Sequence, residues 1–283
     1  MTDKTQVTLP TIAMLGAGSM ARAILAGLLA PHVSVEGVVR VTNRSADNAA
    51  SFDNEPRVQA WATANDPEAN SKAVAGAQIV LIAVKPAMVP DLLDEITPAL
   101  ADGAIVVSVA AGVTTATMEA HLPQHVSVIR TMPNTPSKIG LGVTGIAAGS
   151  RSTTAQLDLV CSMFSTVGEV IVLPEDKIDA LGSISGSGPA YVFYFIEQLT
   201  KVAVEHGFSP EQAEKMVQGT FRGAVELLAQ SGEEPQELRR QVTSPKGSTE
   251  RAIAVFDDAN IKDILLKGTQ AAIARSEEMA RGE

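Results

Sequence analysis

The segment MLGAGSMARAI, residues 14–24, joins an apolar stretch to an amphipathic one through a glycine turn. Gly16, Gly18 and Ala21 give it the pattern G-x-G-x-x-A. The first glycine permits a tight turn, the second lets a ligand approach the backbone, and the alanine lets the helix pack closely on the strand. Free amides at the start of such a helix attract an anion. The segment therefore predicts a strand, a turn and a helix that bind the pyrophosphate of a dinucleotide.

The chain around this turn alternates short β-branched runs with amphipathic stretches up to residue 174. Strands are predicted at 11–16, 38–42, 57–60, 79–84, 104–109, 126–130, 142–148 and 168–173, and helices at 19–30, 46–53, 66–75 and 88–99. Apolar strands that alternate with helices are typical of a parallel sheet covered on both faces. We therefore predict an α/β, Rossmann-type doubly wound parallel sheet over residues 11–174, preceded by a short N-terminal tail, residues 1–10.

The pattern changes at residue 175, after which no convincing strand is found. Residues 209–231 carry apolar side chains at helical spacing. The segment PAYVFYFIEQLTKVAV, residues 189–204, is apolar on nearly all sides, and a helix of that kind has to be covered all round. A partner subunit is the expected cover. Residues 175–283 are thus predicted to form an all-helical dimerisation domain.

Composition narrows the range of partners. The net charge of −10 argues against nucleic acid and against an acidic membrane surface. No apolar run reaches the roughly 18 residues of a membrane span, and the first residues lack the pattern of a secretion signal. The single cysteine, Cys161, fits a reducing cytoplasm and a buried apolar position. The four histidines are scattered and give no metal spacing.

The end of the second long strand indicates which dinucleotide is bound. An NAD site usually has an acidic residue there, but Glu36 stands at the start of the strand. The strand runs out into Asn43, Arg44 and Ser45, which are hydrogen-bond donors without a carboxylate. Arginine suits a 2′-phosphate. NADPH is therefore the expected cofactor, with NADH accepted less well; a solvated loop cation is the alternative interpretation of Arg44.

Five stretches together resemble the pyrroline-5-carboxylate reductase family: GAGSMARAI (16–24), AVKPAMV (83–89), RTMPNTP (130–136), SGSGPAYVF (185–193) and QVTSPKGSTERA (241–252). The resemblance spans nearly the whole chain. It implies NADPH-dependent reduction of the cyclic imine 1-pyrroline-5-carboxylate to L-proline, the last step of proline biosynthesis. It also implies a homodimer formed through interlocked helices and assembled into a larger homo-oligomer.

The resemblance also implies site residues. Cofactor contacts are expected at Leu15, Gly16, Ala17, Gly18, Ser19, Met20, Asn43, Arg44, Ser45, Asn70, Ala83, Val84, Lys85, Pro86, Ala110, Ala111 and Gly112. Substrate contacts are expected at Gln241, Ser244, Gly247, Ser248 and Thr249. No metal is implied.

The hydroxyl-rich loop suits a small substrate with a carboxylate. Backbone amides and hydroxyls at a helix start can hold the carboxylate without a dedicated cation, and Thr249 could hydrogen-bond the ring nitrogen. Alternatively, Thr249 only caps a helix that begins near Glu250. The family usually has a glycine where this chain has Lys246. Lysine tolerates a left-handed backbone poorly, so either the bend differs or the ammonium assists the carboxylate.

Three other functional classes fit the sequence less well. A 3-hydroxyacid dehydrogenase would have G-x-x-x-K on its long helix, where this chain has Gly188 and Val192. A non-catalytic NADPH-binding sensor would not need the hydroxyl-rich loop. A hydrolase nucleophile elbow at Ser187 lacks the preceding strand.

The two prolines of RTMPNTP predict a loop, either a linker bend or a wall of the active site.

Overall fold

The computed structural model describes residues 6–280 of the chain, with side chains up to residue 278. Two compact units are present. The first contains the chain up to Ser187 together with the end of the last helix from Ala272, and the second contains Gly188–Ala271. The division between the units falls at residue 187. The change in sequence pattern placed the domain boundary earlier, near residue 174, and that boundary stays a prediction.

The first unit is built on an eight-stranded sheet. The strands of this unit are β1 Val7–Leu9, β2 Ile12–Leu15, β3 Val33–Val35, β4 Val39–Asn43, β5 Val58–Ala62, β6 Ile79–Ile82, β7 Ile105–Ser108, β8 Ser127–Met132, β9 Gly142–Ala148 and β10 Gly168–Val172. The large sheet has the order β10-β9-β8-β7-β6-β2-β4-β5. All neighbouring strands are parallel except β8 and β9, which are antiparallel.

Among the described residues, six α-helices lie between strands of this unit in the chain, and a seventh follows the last strand. They are α1 Ser19–Leu28, α2 Ala46–Ala50, α3 Ala69–Val74, α4 Val89–Ile96, α5 Thr115–Ala120, α6 Thr154–Ser165 and α7 Ile178–Leu181. Strand β2 shows how the sheet is covered, because Ile12 and Met14 belong to one buried apolar cluster while Ala13 and Leu15 belong to another. Successive side chains of a strand point to opposite faces. Both faces are therefore buried, and the predicted doubly wound fold is confirmed.

The prediction of an unstructured N-terminal tail is wrong for residues 7–9. These residues form β1, which pairs in parallel with β3 as a separate two-stranded sheet, and Leu9 is buried. The reason is tertiary, because the partner strand lies on the far side of α1 in the chain and only the folded helix brings it alongside. Residues 1–5 of the predicted tail lie outside the described residues.

The segment RTMPNTP is a loop only in its second half. Arg130, Thr131 and Met132 complete β8, and a 3₁₀ helix follows at Thr135–Ile139. The prolines are compatible with this strand, because the first of them, Pro133, comes after its last residue. The loop prediction is therefore wrong for the first three residues.

The second unit is helical. Its helices are α8 Gly188–Glu205, α9 Pro210–Ser231, α10 Pro235–Gln241, α11 Ser248–Asp258 and the larger part of α12 Ile261–Ala280. A capping box begins α9: the Ser209 hydroxyl accepts from the Gln212 amide at 3.3 Å, and the Gln212 side chain accepts from the Ser209 amide at 2.9 Å. Between residue 175 and residue 280 there is no strand, as predicted.

Helix α8 carries large apolar side chains that the chain itself leaves exposed. Phe193 is 66% exposed and Tyr194 is 60% exposed. Exposed apolar patches of this kind mark interaction surfaces. Within residues 6–280, no helix is both long enough and apolar enough to cross a membrane.

Candidate functional site

The carboxyl ends of four neighbouring strands lie side by side. Leu15 pairs with Thr42 on one side and with Ile82 on the other, and Ile82 pairs with Ser108. The residues that follow these strands therefore share one edge of the sheet, where ligands of this fold bind. This edge brings together the expected cofactor segments at 15–20, 43–45, 83–86 and 110–112.

Gly16 is required by both its backbone angle and its surroundings. Its φ is +89°, and a Cβ there would stand 2.8 Å from Val84 Cγ1 and 2.9 Å from the Ala83 carbonyl oxygen. The amides of Gly16 and Ala17 both donate to the Thr42 carbonyl, each at 3.1 Å. The turn is therefore hydrogen-bonded to the end of β4 and packed closely against the segment that follows β6. Thr42 was not singled out in the sequence, where its only signal is its place near a strand end.

The start of α1 is open. Gly18 is the N-cap residue and has an extended backbone, and no side chain caps the helix. A Cβ on Gly18 would meet no heavy atom within 4 Å. The first amides of a helix have no partner inside the helix, so those of Ser19 and Met20 are free to bind an anion. Ala21, in contrast, is buried, as the close packing of α1 on the sheet requires.

The end of β4 presents donors. Asn43 is buried and its Nδ2 lies 3.5 Å from the Asn48 carbonyl oxygen. Arg44 is exposed, and its guanidinium has no partner in the described part of the chain. Ser45 precedes α2 without capping it through its side chain. Glu36 donates its amide to the Leu9 carbonyl at 2.9 Å and lies before β4, at the opposite end from Asn43.

The remaining cofactor candidates follow β5, β6 and β7. Asn70 stands in the first turn of α3 and donates to Glu95 Oε1 at 3.1 Å. The Ala83 amide donates to the Leu15 carbonyl at 2.8 Å, which ties the segment of Val84, Lys85 and Pro86 to the glycine turn. The Ala110 amide donates to Ser108 Oγ at 3.1 Å. Ala111 and Gly112 come next, and Gly112 has a φ of +76°.

The expected substrate loop forms a tight bend in the second unit. The Gly247 amide donates to the Ser244 carbonyl at 3.0 Å, and a Cβ on Gly247 would stand 2.9 Å from that oxygen. Lys246 adopts a left-handed φ of +64°, and its amide donates to Glu250 Oε2 at 2.8 Å. The bend is therefore present with a lysine at its left-handed position.

Three hydroxyls of this loop are uncommitted, whereas that of Thr243 donates to the Arg239 carbonyl at 2.6 Å. Helix α11 begins at Ser248 with Gly247 as its N-cap, and no side chain caps it. Thr249 is the second helical residue, so the alternative that it caps a helix starting near Glu250 is wrong. The side chains of Ser244, Ser248 and Thr249 are exposed and have no hydrogen-bond partner among residues 6–280.

Gln241 ends α10 and is engaged within that helix. Its Nε2 donates to Glu237 Oε1 at 3.1 Å. The guanidinium of Arg240 and the Gln241 amide together lower the pKa of the Glu237 carboxyl to about 2. Gln241 therefore has an internal partner, unlike the hydroxyls of Ser244, Ser248 and Thr249.

Comparison with known proteins places the chain in a family. A pyrroline-5-carboxylate reductase of Corynebacterium melassecola is 35% identical over 96% of this chain and 99% of its own. The enzyme of the same name from Pseudomonas aeruginosa is 36% identical over 96% of this chain and 97% of its own. The chain belongs to the pyrroline-5-carboxylate reductase family.

Two family models match different parts of this reductase, one in the nucleotide-binding part and one in the helical part. The model of pyrroline-5-carboxylate reductase dimerisation matches residues 175–279, and that of NADP oxidoreductase, coenzyme F420-dependent, matches residues 11–112. The predicted family, reductase activity, NADP-type cofactor and assembly as a homo-oligomer are thereby confirmed.

Solved structures agree as well. A pyrroline-5-carboxylate reductase from Coxiella burnetii is 34% identical and covers 95% of this chain and 97% of its own, with a TM-score of 0.86. A pyrroline carboxylate reductase of Plasmodium falciparum with NADP bound is 24% identical over 95% of this chain and 98% of its own, with a TM-score of 0.80. The second likeness concerns the fold.

Proposed function

We propose that this reductase converts 1-pyrroline-5-carboxylate to L-proline, with NADPH as the preferred cofactor and NADH as a poorer one. The observation that carries the proposal is the presence, in one chain of this family, of an open dinucleotide edge and of a bend at which the hydroxyls of Ser244, Ser248 and Thr249 and the first helical amides are uncommitted. The 3-hydroxyacid dehydrogenase alternative would need a lysine where Val192 stands, and the sensor alternative would leave the bend without a use.

The chain fits NADPH at the edge of the large sheet. The amides of Ser19 and Met20 receive the pyrophosphate, and the open space beside Gly18 admits it. Arg44 and Ser45 receive the 2′-phosphate, because they offer donors beyond β4 where a carboxylate would repel it. The segments at 83–86 and 110–112 follow strands on the other side of β2 and receive the rest of the cofactor. Asn70 is assigned to this edge by family likeness.

The bend of the second unit receives the substrate. Its carboxylate takes the amides of the first turn of α11 and the hydroxyls of Ser244 and Ser248, since a helix start favours an anion. Gly247 allows the close turn that exposes these amides. Gln241, just upstream, also contacts the substrate once its side chain has given up its hydrogen bond to Glu237.

Thr249 acts at the reacting bond. NADPH, when bound, supplies the hydride that the imine carbon accepts. The ring nitrogen takes up a proton, so that the C=N bond becomes a C–N bond and proline forms. The Thr249 hydroxyl accepts a hydrogen bond from the protonated nitrogen and holds the ring in place. Placement of the two reactants accounts for most of the rate enhancement.

The oligomeric assembly is inferred from the exposed side chains of α8, and the cellular location from composition. Interlocked α8 helices form a homodimer that covers Phe193 and Tyr194, and such dimers join into a larger homo-oligomer. The single cysteine agrees with a cytoplasmic location. The net charge of −10 leaves a small molecule rather than nucleic acid or a membrane as the binding partner.

The test follows NADPH oxidation in the presence of the cyclic imine and identifies the product. We expect L-proline to form in step with cofactor loss. Arg44→Ala should raise the KM for NADPH roughly tenfold, the lower end for a charge-assisted hydrogen bond at an exposed site, while the KM for NADH, the internal control, stays the same. Oxidation of NADPH without proline, or equal losses for both cofactors, would contradict the proposal.

A further inference from the structure

The segment RTMPNTP has no part in the binding roles above, yet it contains the largest polar side chain of the core. Arg130 is only 2% exposed; it lies within β8 and pairs with Ser108, the last residue of β7. Its Nη2 is 2.7 Å from Asp179 Oδ1 and its Nη1 is 3.6 Å from Glu175 Oε1. Its Nε is buried without a partner among the described residues. A buried guanidinium needs paired carboxylates to offset the loss of its hydration.

Glu175 links this pair to the start of α5. Its Oε1 accepts from the Thr115 amide at 2.7 Å and its Oε2 accepts from the Thr115 hydroxyl at 2.5 Å. The same helix start is capped by Thr114, whose hydroxyl accepts from the Thr117 amide at 3.1 Å. Thr114 satisfies only the Thr117 amide, and the Thr115 amide at the same helix start is satisfied by a carboxylate from a distant part of the chain.

Asp179 anchors the other side of the guanidinium. Its Oδ1 also accepts from the Ser276 hydroxyl at 2.8 Å. Arg130 is thereby held from one side by Asp179 and faces Glu175 on the other. The guanidinium thus forms an ion pair with the Glu175 carboxylate, which in turn is hydrogen-bonded to Thr115.

The strand order places this cluster at one end of the cofactor. Arg44 follows β4, which lies on one side of β2, while β6, β7 and β8 lie on the other side. A dinucleotide runs across the edge from one side of β2 to the other. With the 2′-phosphate beyond β4, the nicotinamide lies beyond β6 and β7. The short segment from Ala110 to Thr115 follows β7 directly, so it borders the nicotinamide half.

We propose that Glu175, held by Arg130, is a positioning residue that fixes the segment from Ala110 to Thr115 against the nicotinamide half of the cofactor. The proposal rests on the proposed cofactor site. It accounts for a carboxylate at the start of α5, for the burial of Arg130, and for the role of the first residue of RTMPNTP.

The test separates the two halves of the cofactor. Adenosine 2′,5′-bisphosphate carries the 2′-phosphate half and lacks the nicotinamide. Thr115→Val removes the hydroxyl that donates to Glu175 and keeps the side chain's shape, and Glu175→Gln removes the charge. We expect both variants to raise the Kd for NADPH roughly three- to thirtyfold and to lower kcat, while the Kd for the bisphosphate stays the same. Thr115→Ser keeps a hydroxyl and should restore NADPH binding.

Asp176→Asn is the matched control, because Asp176 is the next carboxylate in the chain, is exposed, and meets only Lys177 Nζ at 3.6 Å among the described residues. It should behave as the unchanged protein. Unaltered NADPH affinity and kcat in Thr115→Val would overturn the proposal, as would equal losses for NADPH and the bisphosphate, which would indicate general destabilisation. If Glu175→Gln fails to fold, the Thr115 pair decides. A separate measurement tests the proposed cofactor site itself. If Arg44→Ala leaves the Kd for the bisphosphate unchanged, the 2′-phosphate does not bind at Arg44 and the cofactor site is wrongly placed.

Discussion

Alanine at the two glycines of the turn should fail in two different ways. Gly16→Ala places a methyl group 2.8 Å from Val84 Cγ1 and 2.9 Å from the Ala83 carbonyl oxygen, at a φ of +89°. The left-handed backbone costs about 1–2 kcal/mol, and the forced shift of the neighbouring strand end costs about 1–3 kcal/mol. We expect the free energy of unfolding to fall by an amount of that order, before any ligand is considered.

Gly18→Ala should leave the fold nearly intact and weaken NADPH instead. The added Cβ meets no protein atom within 4 Å, and the φ of −75° suits alanine. Replacement of an N-cap glycine costs about 0.5–1 kcal/mol. The methyl group occupies the space in which the pyrophosphate approaches the amides of α1. Loss of one such charge-assisted contact corresponds to a rise in Kd of roughly ten- to a hundredfold.

Chemical unfolding measures the first effect, and titration of NADPH fluorescence measures the second. The two variants act as controls for each other, because they add the same methyl group two residues apart. If Gly18→Ala binds NADPH as tightly as the unchanged protein, the assignment of the open space beside Gly18 to the pyrophosphate is wrong. A Gly16→Ala variant of normal stability would refute the steric argument.

Three further outcomes are expected. Thr249→Val removes an unpaired hydroxyl and no cap, so kcat should fall roughly ten- to a hundredfold while the melting temperature stays the same; normal turnover would end the assignment. Lys246→Gly relieves a left-handed lysine at φ +64° and should raise the free energy of unfolding in urea by up to about 1 kcal/mol; a decrease would mean that the lysine side chain makes a stabilising contact. Phe193→Glu places a charge on a surface used twice in a two-fold dimer, so sedimentation should show a smaller species at about micromolar concentration, since each buried phenylalanine contributes about 1.5–3 kcal/mol; an unchanged sedimentation rate would place Phe193 outside the subunit contact.

Much of the first unit was predictable because its signals are local. The apolar run at 79–84 and the turn residues around it predicted β6, and the structure has that strand at Ile79–Ile82. The glycine turn was predicted by its position between a strand and a helix. The absence of strands beyond residue 175 within the described chain followed from helical spacing alone. Such patterns reflect contacts within one segment, where side-chain periodicity and backbone freedom are decisive.

The bend around Lys246 shows where a local rule loses to its neighbours. Lysine disfavours a left-handed backbone, yet the bend keeps it there, with the Gly247 amide bonded to the Ser244 carbonyl and the Lys246 amide bonded to Glu250. These two bonds on either side outweigh a cost of about 1–2 kcal/mol. The conformational cost could be read from the sequence, but not the bonds that offset it.

Other features were decided only when distant segments met. Residues 7–9 were predicted to belong to a tail and form β1 instead, because a strand needs a partner, and β3 is brought alongside only by the fold of α1. The sequence likewise showed an arginine before two prolines, with no sign that Glu175 and Asp179 would surround it. Burial of a charge becomes tolerable only when its partners are fixed in space. Periodicity along the chain therefore set the elements of this protein, whereas the antiparallel pairing of β8 with β9 and the buried cluster around Arg130 depend on contacts between segments far apart in the chain.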